Sequence, residues 1–184
     1  HRHSGKGEIS VRCLFAIVLF FFVFGESSGV SSVLNNASFE GLQADRIVVL
    51  KSRRRLVLLN KEQVLKIYKI ALGRYPKGHK IEKGDSKTPE GTYIIDYRID
   101  RRKSKFYRAL HISYPNAMDK ARAARIGADP GGQIMIHGLP TKWTARELNH
   151  PNLDWTQGCI GVTNSEIDEI WELVRNGTPI EIHP

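Results

Sequence analysis

A succession of short apolar runs separated by polar turns begins at Ile47 and constrains the fold more than any other feature. The runs IVVL, LVLL and VLKIYKIALG are rich in Val, Ile and Leu, and the basic turn KSRRR separates the first two. Branched apolar side chains in runs of this length, bounded by polar turns, are typical of β-strands. TYIIDYRI, FYRALHISY, QIMIH and TPIEIHP predict four more strands. The sequence therefore predicts a mainly β fold.

Two segments predict short helices among these strands. NAMDKARAARIG ends at Gly127, and Thr163 with Glu166 three residues later forms a capping box ahead of a helical apolar pattern that ends at Gly177. Between them, residues 138–158 form a long irregular stretch after the strand QIMIH. A loop of this length in a compact domain is often functional, so we expect it to border a site.

The N-terminal segment has the layout of a secretory signal. Residues 13–24, CLFAIVLFFFVF, are apolar without interruption, with basic residues before them and small polar residues after them. A membrane-spanning helix needs about 20 apolar residues, more than this run provides. We expect a signal peptide at residues 1–29, cleaved after Gly29, and a linker at 30–44. An uncleaved anchor is the alternative, and it is the only membrane contact that we expect.

The charge balance bears on the partner of the exported chain. The sequence has 28 Lys and Arg against 19 Asp and Glu, a formal net charge of +9. A basic protein of this kind associates readily with anionic polymers. The sequence contains no recognisable nucleic-acid-binding motif. The export signal favours the bacterial wall over nucleic acid as the partner, and it places the chain in the periplasm or cell envelope. We expect a monomer.

Cleavage after Gly29 would remove Cys13 and leave Cys159 as the single thiol. A single cysteine cannot form an internal disulfide, and in an oxidising compartment it is either buried or used. Gly158 permits a tight turn whose backbone N–H groups could hold an oxyanion. His137 follows an apolar strand and could serve as the base that such a nucleophile needs. Its second ring nitrogen needs an acceptor, for which we propose the backbone carbonyl of Gly138.

Other interpretations of these residues remain open at this point. His137 could be a core histidine, and Cys159 could be a buried thiol without a chemical role. His79, His137, His150 and Cys159 could in principle bind a metal, but their spacing matches no zinc pattern, so we expect no metal and no cofactor. A papain-like protease would normally carry its cysteine before its histidine, the reverse of the order here.

The segments I-H137-G138 and T156-Q157-G158-C159-I160 resemble the signature of the L,D-transpeptidase catalytic domain (YkuD-type) family. The 18 residues that separate His137 from Thr156 fit the family's spacing. The resemblance extends to GDSKTPEGTY, SYPN, the helix VTNSEIDEIW and the closing GTPIEI. It covers about residues 45–182, so we expect residues 45–184 to form an L,D-transpeptidase catalytic domain.

The resemblance implies a fold and a reaction. The fold would be a β-sandwich or partly open barrel of mixed sheets with one or two short helices, with Cys159 and His137 at the base of a cleft. Cys159 would attack the carbonyl of the third residue of a peptidoglycan stem peptide, expel the terminal D-alanine and form a thioester, while His137 moves the protons. An amine acceptor would give a 3,3 cross-link, whereas water would make the enzyme an L,D-carboxypeptidase. The N–H groups of Gly158 and Cys159 would hold the oxyanion.

The match has two departures and leaves the substrate contacts open. Gln157 stands where many members have His, and Gly161 stands where they have Arg or Asn. These changes affect the acceptor more than the nucleophile and base. We expect substrate contacts from the side chains of Tyr114, Trp155, Thr156 and Gln157. A carboxypeptidase or peptidoglycan amidase and a catalytically silent wall-binding module remain the alternatives.

Overall fold

The apolar runs form the strands of one curled sheet in the computed structural model, which describes residues 41–100 and 105–184. The strands are β1 (Arg46–Leu50), β2 (Arg55–Asn60), β3 (Gln63–Lys69), β4 (Gly91–Ile99), β5 (Ala109–Ile112), β6 (Met135–His137), β7 (Ile160–Gly161) and β8 (Pro179–His183). The helices are α1 (Ala117–Ala124) and α2 (Asn164–Leu173). The predicted signal peptide and most of the predicted linker lie outside the described residues.

The sheet is mixed, with the strand order β3-β2-β1-β8-β4-β5-β6-β7. The pairs β1–β8 and β6–β7 are parallel, and the other pairs are antiparallel. Ala71, just after β3, exchanges two backbone hydrogen bonds of 2.9 and 2.8 Å with Gly161 in β7, so the two edges of the sheet meet. The sheet is thus a partly open barrel with two short helices, which confirms the predicted fold class.

The core lies inside this curl and against helix α2. Alternate side chains of a strand face opposite sides of a sheet, and in β1 the inward positions Ile47 and Val49 are fully buried. The predicted capping box of α2 is present, because Thr163 and Glu166 bond each other's backbone N–H groups. The helix ends at Leu173, before the predicted Gly177, because Val174 is extended and buried. No helix in residues 41–100 or 105–184 is long and apolar enough to cross a bilayer.

A buried ammonium attaches the loop at residues 73–90 to the end of β1. Lys51 is 2% exposed, and its Nζ donates to Gly78 O at 2.8 Å, to Thr88 O at 2.9 Å and to Glu90 Oε1 at 2.8 Å. Burial lowers the pKa of Lys51, an effect that Glu90 opposes. The turn KSRRR therefore contributes one residue to the interior, where its charge is compensated by hydrogen bonds.

We expect Glu90→Gln to lower the free energy of unfolding by about 1–3 kcal/mol, because it removes the charge that faces the buried Lys51 ammonium. Urea unfolding followed by circular dichroism measures this difference. Glu82→Gln is the matched control, since Glu82 lies on the same loop and is exposed. Equal unfolding midpoints for the two variants would contradict the prediction.

Candidate active site

Cys159 lies in a tight turn directly before β7 and is half-buried. Gly158 has φ +132°, and a Cβ at this position would lie 2.7 Å from Lys87 O, so both the conformation and the space require glycine. The Thr156 hydroxyl stabilises the turn through two hydrogen bonds to its backbone. Its Oγ1 accepts from Gly158 N at 3.1 Å and donates to Cys159 O at 2.7 Å.

The Cys159 thiol is protonated at neutral pH in the free protein. Burial raises its pKa to about 11, against smaller opposing effects of a hydrogen bond with the Met135 backbone and of the Lys80 charge. The thiol donates to Gln133 O, with Sγ at 3.5 Å from the oxygen. Gln133 is separated from β6 only by the buried Ile134, so this contact connects the Cys159 turn to the neighbouring strand.

His137 ends β6 and is completely buried. Its Nδ1 lies 2.6 Å from Gly138 O, and its ring stacks on Phe106 at a centroid distance of 3.6 Å. A carbonyl oxygen only accepts, so Nδ1 carries the proton and Nε2 holds a free lone pair. None of the described residues bonds Nε2. Burial lowers the pKa of His137 to about 4, which keeps the ring neutral and able to accept a proton.

The pairing of β6 with β7 brings the segments that carry the thiol and the imidazole side by side. Strands β6 and β7 are parallel, with His137 opposite Gly161. Cys159 directly precedes Ile160, which pairs with Ile136, so the turn that carries the thiol lies beside the strand that ends at His137. Both side chains line one cleft of about 1160 Å³. The sheet thus presents a thiol and a neutral base to the same space.

Trp155 accounts for the absence of a side chain at Gly161. A Cβ on Gly161 would lie 2.7 Å from Trp155 Cζ2, so the indole occupies the space where the family pattern has Arg or Asn. The indole meets the edge of His137 at a centroid distance of 5.7 Å. Its Nε1 donates to His150 Nδ1 at 3.2 Å. The departure at position 161 is therefore coupled to an aromatic ring that packs against the candidate base.

The residues predicted from the sequence divide into a cleft group and a core group. Cys159, His137, Trp155 and Gln157 line the cleft, as does the buried Thr156, whose hydroxyl is bonded within the turn. The predicted substrate contact from Tyr114 is corrected. Its side chain is 2% exposed, and its hydroxyl donates to Pro130 O at 3.0 Å, so it belongs to the core.

The Gly158 N–H, predicted to hold the oxyanion, instead makes a hydrogen bond within the turn. Because it already donates to Thr156 Oγ1, it is a poorer oxyanion donor than the sequence predicted. This finding leaves the N–H of Cys159 as the stronger candidate of the two. Gly158 instead contributes the backbone conformation that makes the turn possible.

Sequence reasoning missed several residues that line the cleft or pack directly behind it. Phe106 lies in a predicted strand and His150 in an irregular loop, with no signal that places either beside His137 or Trp155. The cationic lining was missed as well, and it consists of Arg74, Lys80, Lys83 and Lys105. Within residues 41–100 and 105–184, no group of three or more His, Cys, Asp or Glu side chains is placed to hold a metal ion.

The pKa of Cys159 predicts how the thiol reacts with alkylating reagents. Only the thiolate is nucleophilic, and its fraction rises tenfold per pH unit while the pH stays below the pKa of about 11. We expect the rate of Cys159 alkylation by iodoacetamide to rise about tenfold per pH unit between about pH 7 and 9.5. Intact-mass kinetics, with Cys159→Ser as the unlabelled control, measure it. A rate independent of pH would indicate a preformed thiolate–imidazolium pair and contradict the prediction.

Comparisons with known proteins agree with this architecture. The sequence model of the YkuD family, described as the L,D-transpeptidase catalytic domain, matches residues 44–182. YafK of Escherichia coli K12 is 33% identical over 132 residues, which cover 70% of this chain and 46% of YafK.

Two solved structures share the fold. The helical cell shape determining protein Pgp2 from Campylobacter jejuni superposes with a TM-score of 0.59 at 23% identity, over 78% of this chain and 48% of Pgp2. Bd1075 from Bdellovibrio bacteriovorus superposes with a TM-score of 0.53 at 27% identity, over 78% of this chain and 49% of Bd1075. The chain spans about half the length of these relatives. Because the family's sequence model matches most of it, the chain belongs to the L,D-transpeptidase catalytic domain family.

Proposed function

We propose that this chain is an exported cysteine acyltransferase that acts on peptidoglycan stem peptides in the periplasm or cell envelope. The proposal rests on two side chains that line one cleft, the Cys159 thiol and a neutral, buried His137 whose Nε2 is free to accept a proton. The family match and the cell shape role in the name of Pgp2 support a place in cell wall biogenesis.

The first half of the reaction forms a thioester. His137 Nε2 removes the thiol proton as Cys159 Sγ attacks the carbonyl of the third stem residue, because the resting pair is thiol and imidazole. The C–N bond to the terminal D-alanine then breaks, and the departing amine takes the proton from His137. The N–H of Cys159 stabilises the oxyanion.

The second half transfers the acyl group. An incoming side-chain amine from another stem peptide attacks the thioester, His137 removes its proton, and the Cys159 thiol is regenerated with a 3,3 cross-link as the product. Water in place of the amine would make the chain an L,D-carboxypeptidase. The same two residues serve both outcomes, so the acceptor alone decides between them.

Incubation with tetrapeptide muropeptides tests the proposal. Mass spectrometry should show dimers that have lost one D-alanine, and Cys159→Ser should give none. Tripeptide monomers alone would refute transfer and favour the carboxypeptidase. If neither product forms and a carbapenem leaves Cys159 unlabelled, the chain is a wall-binding module without this chemistry.

A further inference from the structure

Lys80 places a buried ammonium in the wall of the cleft. It is 3% exposed, and its Nζ donates to Glu82 O at 2.9 Å and to Asp85 Oδ1 at 2.8 Å. An ammonium has three N–H groups, and no bond from the third to any described residue is present. Because lysine is rarely buried this deeply, its position requires the support of its own loop.

That support comes from Asp85, which organises the loop around Lys80. Besides the ammonium, the Asp85 carboxylate accepts from the backbone N–H groups of Ile81, Glu82 and Lys87 at 2.9, 3.2 and 3.0 Å. Burial alone would raise the pKa of Asp85, but Lys80 and these three N–H groups bring it below its usual value. Lys80 is therefore fixed at neutral pH and does not sample many positions.

The same loop packs against the turn at residues 156–159 that carries Cys159. A Cβ on Gly158 would lie 2.7 Å from Lys87 O, and a Cβ on Gly131 would lie 3.2 Å from the Lys83 backbone. Gly131 is two residues before Gln133, whose carbonyl accepts from Cys159 Sγ. The loop of Lys80 thus contacts both segments that hold the thiol, which places its ammonium in the same cleft wall as the reacting sulfur.

The charge of the cleft favours an anion. Arg74, Lys83 and Lys105 line it together with Lys80, whereas Asp129 is the one acid among the described lining residues. The anion that a stem peptide brings nearest to its scissile carbonyl is the free carboxylate of the residue that leaves. A fixed ammonium binds a carboxylate by a charge-assisted hydrogen bond, and it does not bind the corresponding amide this way.

We propose that Lys80 is a specificity-determining residue that binds the carboxylate of the leaving residue. The cleft then accepts peptides in which one residue with a free carboxylate follows the scissile bond. It discriminates against peptides in which that carboxylate is an amide. This inference rests on the proposed function for its substrate, but the anion site itself can be tested without turnover.

Paired alkylating reagents test the anion site directly. Iodoacetate carries a carboxylate and iodoacetamide does not, so the ratio of their rates at Cys159 reports the local charge. Both reagents need the thiolate, and the ratio therefore cancels any change in thiolate fraction. We expect Lys80→Met to lower the ratio of iodoacetate to iodoacetamide rates about tenfold. Lys69→Met, at an exposed position on β3, should leave it unchanged.

Two further variants keep this test decisive. Lys80→Arg retains the charge and should preserve the ratio. If Lys80→Met does not fold by circular dichroism, Lys80→Met with Asp85→Asn replaces it, and its ratio is compared with that of Asp85→Asn alone so that the loss of the Asp85 charge cancels. An unchanged ratio in a folded variant that lacks the Lys80 charge would overturn the inference.

A substrate comparison then tests specificity. The unaltered protein should turn over a tetrapeptide stem at least 30-fold faster in kcat/KM than its C-terminal amide, and Lys80→Met should reduce this preference to threefold or less. A preference that survives in Lys80→Met would overturn the inference. No turnover of either peptide would contradict the proposed function, while the alkylation ratio would still decide whether Lys80 forms an anion site.

Discussion

Replacing Cys159 with serine is expected to lower the turnover of tetrapeptide muropeptides at least 1000-fold, and His137→Ala should have an effect of similar size. The serine hydroxyl is a much weaker nucleophile than the thiol, and His137→Ala removes the free Nε2 lone pair that accepts the thiol proton. Quantifying products by mass spectrometry measures the loss. His183→Ala is the matched control, because His183 is exposed on β8.

The double variant distinguishes a catalytic pair from two independent residues. Groups that act in one step are strongly non-additive, so Cys159→Ser with His137→Ala should be little worse than either single variant. Cys159→Ser should keep the unfolding midpoint close to that of the His183→Ala control, whereas His137→Ala removes a buried ring and should lower the midpoint while the protein still folds. Turnover that persists in folded Cys159→Ser would show that the nucleophile lies elsewhere.

Introducing the family's residue at position 161 is expected to damage this protein. In Gly161→Asn the new Cβ would lie 2.7 Å from Trp155 Cζ2, so the indole must move and lose its contacts with His137 and His150. We expect a stability loss of about 1–3 kcal/mol from overpacking. Turnover should fall about 10- to 100-fold, because a small misplacement of a catalytic group costs about that much. Urea unfolding and the muropeptide assay measure the two effects.

A compensating variant identifies the cause. Gly161→Asn with Trp155→Ala removes the ring that the new side chain meets, so the double variant should be more stable than the sum of the two single effects predicts. Trp155→Ala alone provides the reference. If Gly161→Asn is as stable and active as the unaltered protein, the indole is not fixed in the way that the structure shows.

Local patterns of the sequence predict much of the fold. Strands β1 and β2 follow from branched apolar runs, and α2 follows from the capping box of Thr163 and Glu166, because both signals depend on neighbours within a few residues. The contact that brings the sheet edges together, between Ala71 and Gly161, has no such signal. Two backbone segments far apart in the chain determine it.

The site shows the same division between local and distant causes. The signature around His137 and Cys159 identifies the candidate nucleophile and base. Lys51 and Lys80 look like surface lysines in the sequence, because their burial depends on carbonyl and carboxylate partners provided by a folded loop. Tyr114 belongs to the core and not to the cleft, a distinction that the sequence cannot make because an aromatic residue near a site occurs in either place.

Strand β8 occupies the middle of the sheet, between β1 and β4, although it comes last among the strands in the chain. Its parallel partner β1 begins at Arg46. The half of the sheet made of β1, β2 and β3 and the half made of β4 to β7 are therefore not connected through β8 until residues 179–183 have been synthesised. Pairings of such long sequence separation form slowly. Until β8 has been made, the edges of β1 and β4 that it covers stay unpaired, so this one strand joins two separate halves into a single sheet.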